Sequence, residues 1–598
     1  MAKNNTIGIC VTSIHRPSIH RTLRALATEA RKRGYYLQIF APLSDLYQKT
    51  KDDAAQKRIY NFVDFDKICC LILFTEMIKD APVKKELYMR AMSADVPVIS
   101  IKQPLSGSCN IKYDSETALA NIIRHVIEVH GCHKINFMAG PHDNDVSIER
   151  INTYKSVLNE YGIPVEEQRI GYGDFWSAPA IRETKRFLES EDGLPDAIVC
   201  ANDSMAIAVS DYLLKLKKRI PEDIIVTGLG GILEREYHIP LLTSAIYDPV
   251  LSSECILDTM EKLLEGKLLY NKTVVIPCKP VYAESCGCVK SDKRKNDHKL
   301  EALFVNSENE HNYNHAIHEF NSHININCAL ETLARLLPDY LWGPGISSLN
   351  LYIESTLASP EDFEYDNIKE PHLILLNQIS DKECLTPLLP VQYNVVFDKD
   401  HEVNKNFTHM LIIPLNVMDE NLGIITIDYN DGHIYHECLY EFIVTLDNIL
   451  GTIKNKMELV KINKQLNTLS EQTIQSLTEI VEAKSEFTGL HVKRVSEYTR
   501  VLAEAMGYTP EEVDTIRIAS MMHDIGKLNL PSSIIEKPGK LTDEEFEIIK
   551  THVTEGEKLL HNCPGKIMEI ARIIALQHHE KWNGKGYLGL KETEIALE

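Results

Sequence analysis

The sequence predicts a multidomain protein with a two-lobed α/β region, an α+β region and an all-α region, in that order along 598 residues. Three observations predict it. Residues 6 to about 285 alternate short apolar runs with helical stretches, the rhythm of parallel sheets joined by crossover helices. Residues 311–450 change to helix, strands around a polar turn, and helix. The last 120 residues hold six histidines, of which His491, His523, His552, His578 and His579 sit at wide, ordered intervals in helical sequence. At roughly 100–200 residues per domain, the length allows about three to five domains.

Composition narrows the function classes. Lys and Arg total 64 against 86 Asp and Glu, a formal net charge of −22. With no basic field to offset it, this balance argues against DNA as a partner. A 44% hydrophobic share with 25% charged residues is that of a globular chain, not of disorder or fibre. No apolar run reaches the ~18 residues of a spanning helix, so no membrane insertion is expected. The first residues have too short an apolar stretch for a secretory signal and run straight into a strand pattern. A cytoplasmic protein is therefore expected, with its 14 cysteines mostly free structural thiols. Cys69-Cys70 and Cys286-Gly287-Cys288 could serve a metal only with further ligands close by, and none stand beside them in sequence.

In the first region, residues 1–290, Thr6–Val11, Tyr35–Phe40, Cys69–Phe74, Val96–Ile101, Ile135–Ala139, Ala197–Cys200 and Ile224–Gly228 read as strands. Ser18–Gly34 reads as a helix ended by glycine, where a left-handed cap is easily adopted. Ser147-Ile148-Glu149-Arg150, Ala201-Asn202-Asp203-Ser204-Met205-Ala206, Val226-Thr227-Gly228 and Glu284-Ser285-Cys286-Gly287-Cys288 together resemble the effector-binding core of lac-repressor-type regulators and periplasmic sugar-binding proteins. The resemblance implies a sensor for an unknown small-molecule effector, with Arg150, Asn202 and Asp203 facing the cleft. Asn202-Asp203 equally suits a helix N-cap. Leu229-Gly230-Gly231 stands where the family often has an acidic sugar contact, so a sugar is not expected. The first strand begins within ten residues of the start, where the repressors carry a helix-turn-helix, so a sensor rather than a repressor is expected.

Residues 291–310 are highly charged and read as a linker. From 311 to 450, a helix over Asn314–Leu337, a strand at Ser347–Ile353, a hairpin of Met410–Leu415 with Leu422–Asp428, and a helix from Tyr435 resemble a GAF-type sensory domain. His311, His315, His318 and His323 read as solvated helix histidines, since no fixed set of acidic or thiol partners accompanies them. Residues 451–480 carry apolar residues at mostly three- or four-residue steps, an amphipathic signalling helix expected to pair with its copy in a homodimer.

The strongest signal lies in residues 481–598. Thr509-Pro510-Glu511-Glu512 is a capping box with proline at the first helical position, starting the helix that leads to His523-Asp524-Ile525-Gly526-Lys527. Imidazole and carboxylate ligands suit first-row transition metals, and no nearby cysteine supports a thiolate site. Lys527, four residues after His523, overhangs the same place. Thr488-Gly489-Leu490-His491, Met522-His523-Asp524-Ile525-Gly526-Lys527, Lys537-Pro538-Gly539, Lys550-Thr551-His552 and His578-His579-Glu580-Lys581-Trp582-Asn583-Gly584-Lys585-Gly586-Tyr587 together resemble the HD-GYP family.

That resemblance implies a metal-dependent phosphodiesterase of cyclic di-GMP. It would hold two divalent transition-metal ions, iron or manganese, on His491, His523, Asp524, His552, His578 and His579. Lys527 would stabilise charge on the phosphoryl group, and Gly584, Gly586 and Tyr587 would meet the dinucleotide. Phe487 stands where some members have a glutamate ligand, which favours two ions over three. Leu588 and Asn583 depart from the family pattern. The chain ends at Glu598, before the helix that in the family brings an aspartate ligand and substrate-gripping basic residues. Weak activity or none is therefore expected. A catalytically inactive receptor for a nucleotide or partner protein, or an HD hydrolase of another phosphoester, are the rival readings.

Overall fold

The computed structural model describes residues 5–191, 193–268, 270–290, 308, 311–324, 329–357, 373–380, 383–385, 389–430, 436–483 and 490–596. The expected linker 291–310, apart from residue 308, and Phe487 lie outside the described residues. The chain divides into two compact units, Met1–Asn455 and Lys456–Glu598.

The first unit contains two sheets. Thr6–Cys10 and Ile135–Ala139 are buried along their whole length, because helices cover both faces of each sheet. In one sheet, Thr273–Pro277, Cys109–Asp114, Val98–Ile101, Cys70–Leu73, Thr6–Cys10 and Tyr36–Phe40 follow one another in parallel. In the other, the order is Lys279–Val281, Thr243–Ile246, Ile225–Gly230, Ala197–Cys200, Ile135–Ala139 and Ile170–Tyr172, with only the first pair antiparallel. This is the expected two-lobed α/β arrangement. Helices after the strands begin at side-chain caps from Asp80, Asp114, Asn144, Asn202 and Asp248, each accepting a hydrogen bond from an early helical N–H.

The middle region adds antiparallel strands Leu349–Glu354, Leu373–Ser380, Met410–Val417 and Glu420–Asp428. They do not form a separate sheet. Met410–Ile412 pairs in parallel with Gln38–Phe40, so the first sheet runs on through the middle strands to a total of twelve. His409 seals this seam: its Nδ1 accepts from the Leu37 N–H at 3.2 Å, and its Nε2–H donates to the Ala27 carbonyl at 2.9 Å. His311, His315, His318 and His323 are all exposed on the helix over 311–324.

The expected signalling helix and the helix before it are one element, His436–Ala483. Its early apolar residues, including Phe442, Leu446 and Ile449, are buried, whereas Leu459, Val460, Leu466, Leu469 and Leu477 are exposed. None of the described helices is long and apolar enough to cross a membrane.

The second unit is helical. Leu490–Ala505, Pro510–Ser520, His552–Leu560 and Lys566–Gln577 pack around Val492, Ile516, Ala519, Met522, Leu560 and Ala571. The capping box at Thr509 is present: the Glu512 carboxylate accepts from the Thr509 N–H at 2.9 Å.

Candidate metal centre

Four helix ends converge on one carboxylate. His523 and Asp524 lie in the turn just past Ser520, at the end of the helix that begins at Pro510. His552 opens its helix, His578 and His579 follow the last residue of theirs, and His491 is in the first turn of Leu490–Ala505. Gly526 brings these ends together. A Cβ there would stand 1.9 Å from the His552 carbonyl oxygen and 2.4 Å from the Gly556 nitrogen, so only glycine lets the two backbones touch.

Asp524 Oδ1 lies 3.4 Å from His552 Nε2 and 3.6 Å from His578 Nε2, and Oδ2 lies 3.3 Å from His523 Nε2. Lys527 Nζ donates to Oδ2 at 2.6 Å. One ligand atom from each of Asp524, His552, His578 and His579 falls within 4.8 Å of the others. His523 joins through Oδ2, while His491 stands at the edge, its ring 5.7 Å from that of His523.

The opposite ring nitrogens decide what this cluster can hold. Nδ1 of His523 meets the Ser520 carbonyl at 2.9 Å, that of His552 the Ile549 carbonyl at 2.7 Å, and that of His578 the Ala575 carbonyl at 3.1 Å. Carbonyls only accept, so each Nδ1 carries the proton and each Nε2 presents a lone pair. Those lone pairs face the carboxylate and one another; His552 Nε2 and His578 Nε2 are 3.3 Å apart. Asp524 Oδ1 is buried and accepts no hydrogen bond among the described residues. Acceptors packed on acceptors require a cation, so the residues fit a divalent transition metal.

Burial pushes the Asp524 carboxyl up, but the neighbouring His523 and His578 rings and nearby positive charge outweigh it and hold the group well below the usual range. Burial disfavours the charged His523 ring, yet the facing Asp524 carboxylate raises it overall. Burial lowers His552, and burial with the neighbouring rings pushes His579 down to about 4.

Beside the cluster, the Tyr587 ring stacks on His579 at 4.3 Å. The two glycines let the loop close on itself. At Gly586 a Cβ would meet Glu580, and at Gly584, φ +73°, it would meet the Lys591 side chain. Glu580 was not singled out in the sequence, yet its carboxylate accepts from the N–H groups of Leu588 at 2.7 Å and Leu590 at 2.9 Å and so shapes the loop. A lone glutamate after a His-His pair carries no signal of that role.

In the first unit, a cleft of about 450 Å³ between the two lobes is lined by Glu76, Lys102, Tyr113, Asn144, Glu149, Arg150 and Tyr247 among others. Arg150 is there as expected, its Nη1 donating to the Ala201 carbonyl at 2.7 Å. Asp203 is not. It is fully buried beneath the sheet, accepting from Ile232 N at 3.0 Å and Ser244 Oγ at 2.6 Å, and burial pushes its carboxyl up. Asn202 does not line that cleft either; its Oδ1 caps the following helix through Met205 N at 2.9 Å. Lys102 and Glu76, 2.8 Å apart, were missed because they lie in loops without a motif.

Residues 475–598 match the HD domain family. Residues 123–286 match the periplasmic binding protein-like domain. Over the HD region, the chain is 41% identical across 130 residues to the 3'3'-cGAMP-specific phosphodiesterase 2 of Vibrio cholerae, covering 22% of this chain and 25% of that protein. It is 39% identical across 157 residues to the cyclic di-GMP phosphodiesterase of Thermotoga maritima, covering 25% of this chain and 43% of that one. The chain thus spans less than half the length of these relatives. Among solved structures, the CelR–cellobiose complex, a transcriptional regulator, is 19% identical with a TM-score of 0.38, covering 47% of this chain and 85% of that one. A sugar-binding LacI-family regulator from Escherichia coli complexed with phosphate is 20% identical with a TM-score of 0.38, covering 47% and 98%.

Proposed function

We propose that the HD region is a metal-dependent phosphodiesterase site for a cyclic dinucleotide, with cyclic di-GMP as its leading substrate. The observation that carries this reading is the buried Asp524 carboxylate, whose Oδ1 lacks a hydrogen bond while imidazole lone pairs surround it. Its two oxygens face different groups, Oδ1 toward His552 and His578 and Oδ2 toward His523, so these residues would hold two ions rather than one. Iron or manganese suits this imidazole–carboxylate set. Such ions, when bound, acidify water and polarise a phosphate. Lys527 brings a positive charge to the edge where phosphoryl charge grows, and Tyr587 offers a ring face beside His579. The names of the relatives support the substrate class.

The interlobe cleft is the place for a small-molecule effector, with Arg150 as a contact and Lys102, Tyr113 and Tyr247 beside it. The exposed Leu459, Val460, Leu466 and Leu469 suit pairing with a second copy, which makes a homodimer part of the proposal. None of the described cysteines is in a disulfide, in keeping with a reducing cytoplasm.

The test is anaerobic assay of the manganese- or iron-loaded chain with cyclic di-GMP, following the linear dinucleotide by chromatography. Metal-dependent product formation is expected. Binding of cyclic di-GMP without hydrolysis by fully metal-loaded protein would replace the enzyme with a receptor. Hydrolysis of other phosphoesters alone would replace the substrate.

A further inference from the structure

Far from the HD region in sequence, four more ligand-type side chains meet. Cys286 and Cys288 close the sensor fold, and the ligands their spacing calls for lie 158–163 residues earlier. His125 sits near the end of the helix Ser115–Glu128 and His130 just beyond it. Their Nε2 atoms are 3.2 Å apart. Cys288 Sγ is 3.2 Å from His125 Nε2 and 3.4 Å from His130 Nε2, and Cys286 Sγ is 3.7 Å from His125 Nε2. All four atoms fall within 4.8 Å of one another.

These separations are those of a coordination tetrahedron. Zinc–nitrogen bonds of ~2.0–2.1 Å and zinc–sulfur bonds of ~2.3 Å give edges of about 3.3 Å between nitrogens and about 3.6 Å between nitrogen and sulfur. The local chain is built for the convergence. Gly287 has φ +86°, a left-handed turn that lets sulfurs two residues apart face the same imidazoles. The Tyr282 ring stacks on His125 at 3.7 Å and fixes that ring's plane. Cys286 is buried and Cys288 is exposed, so an ion has a route in from the surface.

We propose that His125, His130, Cys286 and Cys288 form a tetrahedral site for a zinc-class transition-metal ion. With all four positions filled by protein, the site is closed and structural rather than catalytic. It ties the turn Glu284–Cys286 to the end of Ser115–Glu128, and so fixes the last described stretch of the sensor fold to its second lobe. The further ligands that the Cys286-Gly287-Cys288 pair needs, and that do not stand beside it in sequence, are then His125 and His130.

Cobalt substitution of the full chain, stripped by chelator and kept reduced and anaerobic, tests it. A cobalt–thiolate charge-transfer band separates this site from the Asp524, His552, His578 and His579 cluster, which contains no sulfur. One thiolate-bound cobalt per chain is expected, displaced by one equivalent of zinc, lost in Cys288→Ser and kept in Asp524→Ala. No such band in the wild-type chain overturns the proposal, with no question of variant folding. So does a band that survives in Cys286→Ser/Cys288→Ser, or one that disappears in Asp524→Ala.

Discussion

The HD cluster and the Cys/His cluster of the sensor both gather ligand atoms within 4.8 Å, yet they differ in chemistry and in legibility. In the HD region the candidate ligands are imidazoles and a carboxylate, set around a buried oxygen with no hydrogen bond among the described residues. In the sensor, two thiols and two imidazoles complete a tetrahedron and leave no position for a reacting molecule. Hard and borderline ligands suit hydrolysis, whereas thiolates in a closed set suit a staple. One chain thus carries a site arranged for chemistry and another arranged for holding.

Removing a ligand should separate the two most strongly. Asp524→Ala takes away the oxygens that both halves of the HD cluster share, so turnover of cyclic di-GMP should fall by more than the ~10–100-fold typical of outer-shell losses. Metal analysis of the same variant should show the thiolate-bound ion retained. Retained turnover would break the distinction.

Acid should act on the first unit through His409. Burial pushes its ring down to about 4, against ~6.5 in the unfolded chain. Its folded pKa is depressed, so its contribution is fully present above pH ~6.5 and is lost as pH falls toward 4. By linkage this amounts to about 3 kcal/mol. Urea unfolding of the wild type and of His409→Gln across that range checks it, since the variant should lack this part of the slope.

Gly526→Ala drives a methyl group into the His552 backbone. The second unit should lose about 2 kcal/mol, as overpacking typically does, and should bind manganese more weakly. Denaturant unfolding together with metal titration tests this, and the cobalt–thiolate band of the sensor should be unaffected. The smallest effect is expected from Tyr587→Ala. Loss of the ring stacked on His579 should raise KM for cyclic di-GMP about 3- to 10-fold, the worth of one aromatic contact, with kcat little changed.

These differences also explain what the sequence could tell. The short apolar strands were legible because burial on both faces leaves unbroken apolar runs, as at Cys70–Leu73. The HD ligands were legible because each sits in a local motif, His523-Asp524 and His578-His579 above all. Cys286 and Cys288 were visible as a pair, but their imidazole partners come from a helix end over 150 residues away that no spacing rule reaches. The pairing of Tyr36–Phe40 with Met410–Val417 was hidden for another reason: it is made by backbone groups, which any residue supplies. Asp203 was misplaced because an acidic residue beside a helix cap reads alike whether it faces a cleft or lies buried under the sheet.

The most direct measurement is turnover of cyclic di-GMP by the manganese-loaded full chain beside Asp524→Ala, with metal content determined on the same samples. A linear dinucleotide product is expected from the wild-type chain alone. A fully metal-loaded wild-type chain that leaves cyclic di-GMP intact, or a variant that hydrolyses it equally well, would contradict it.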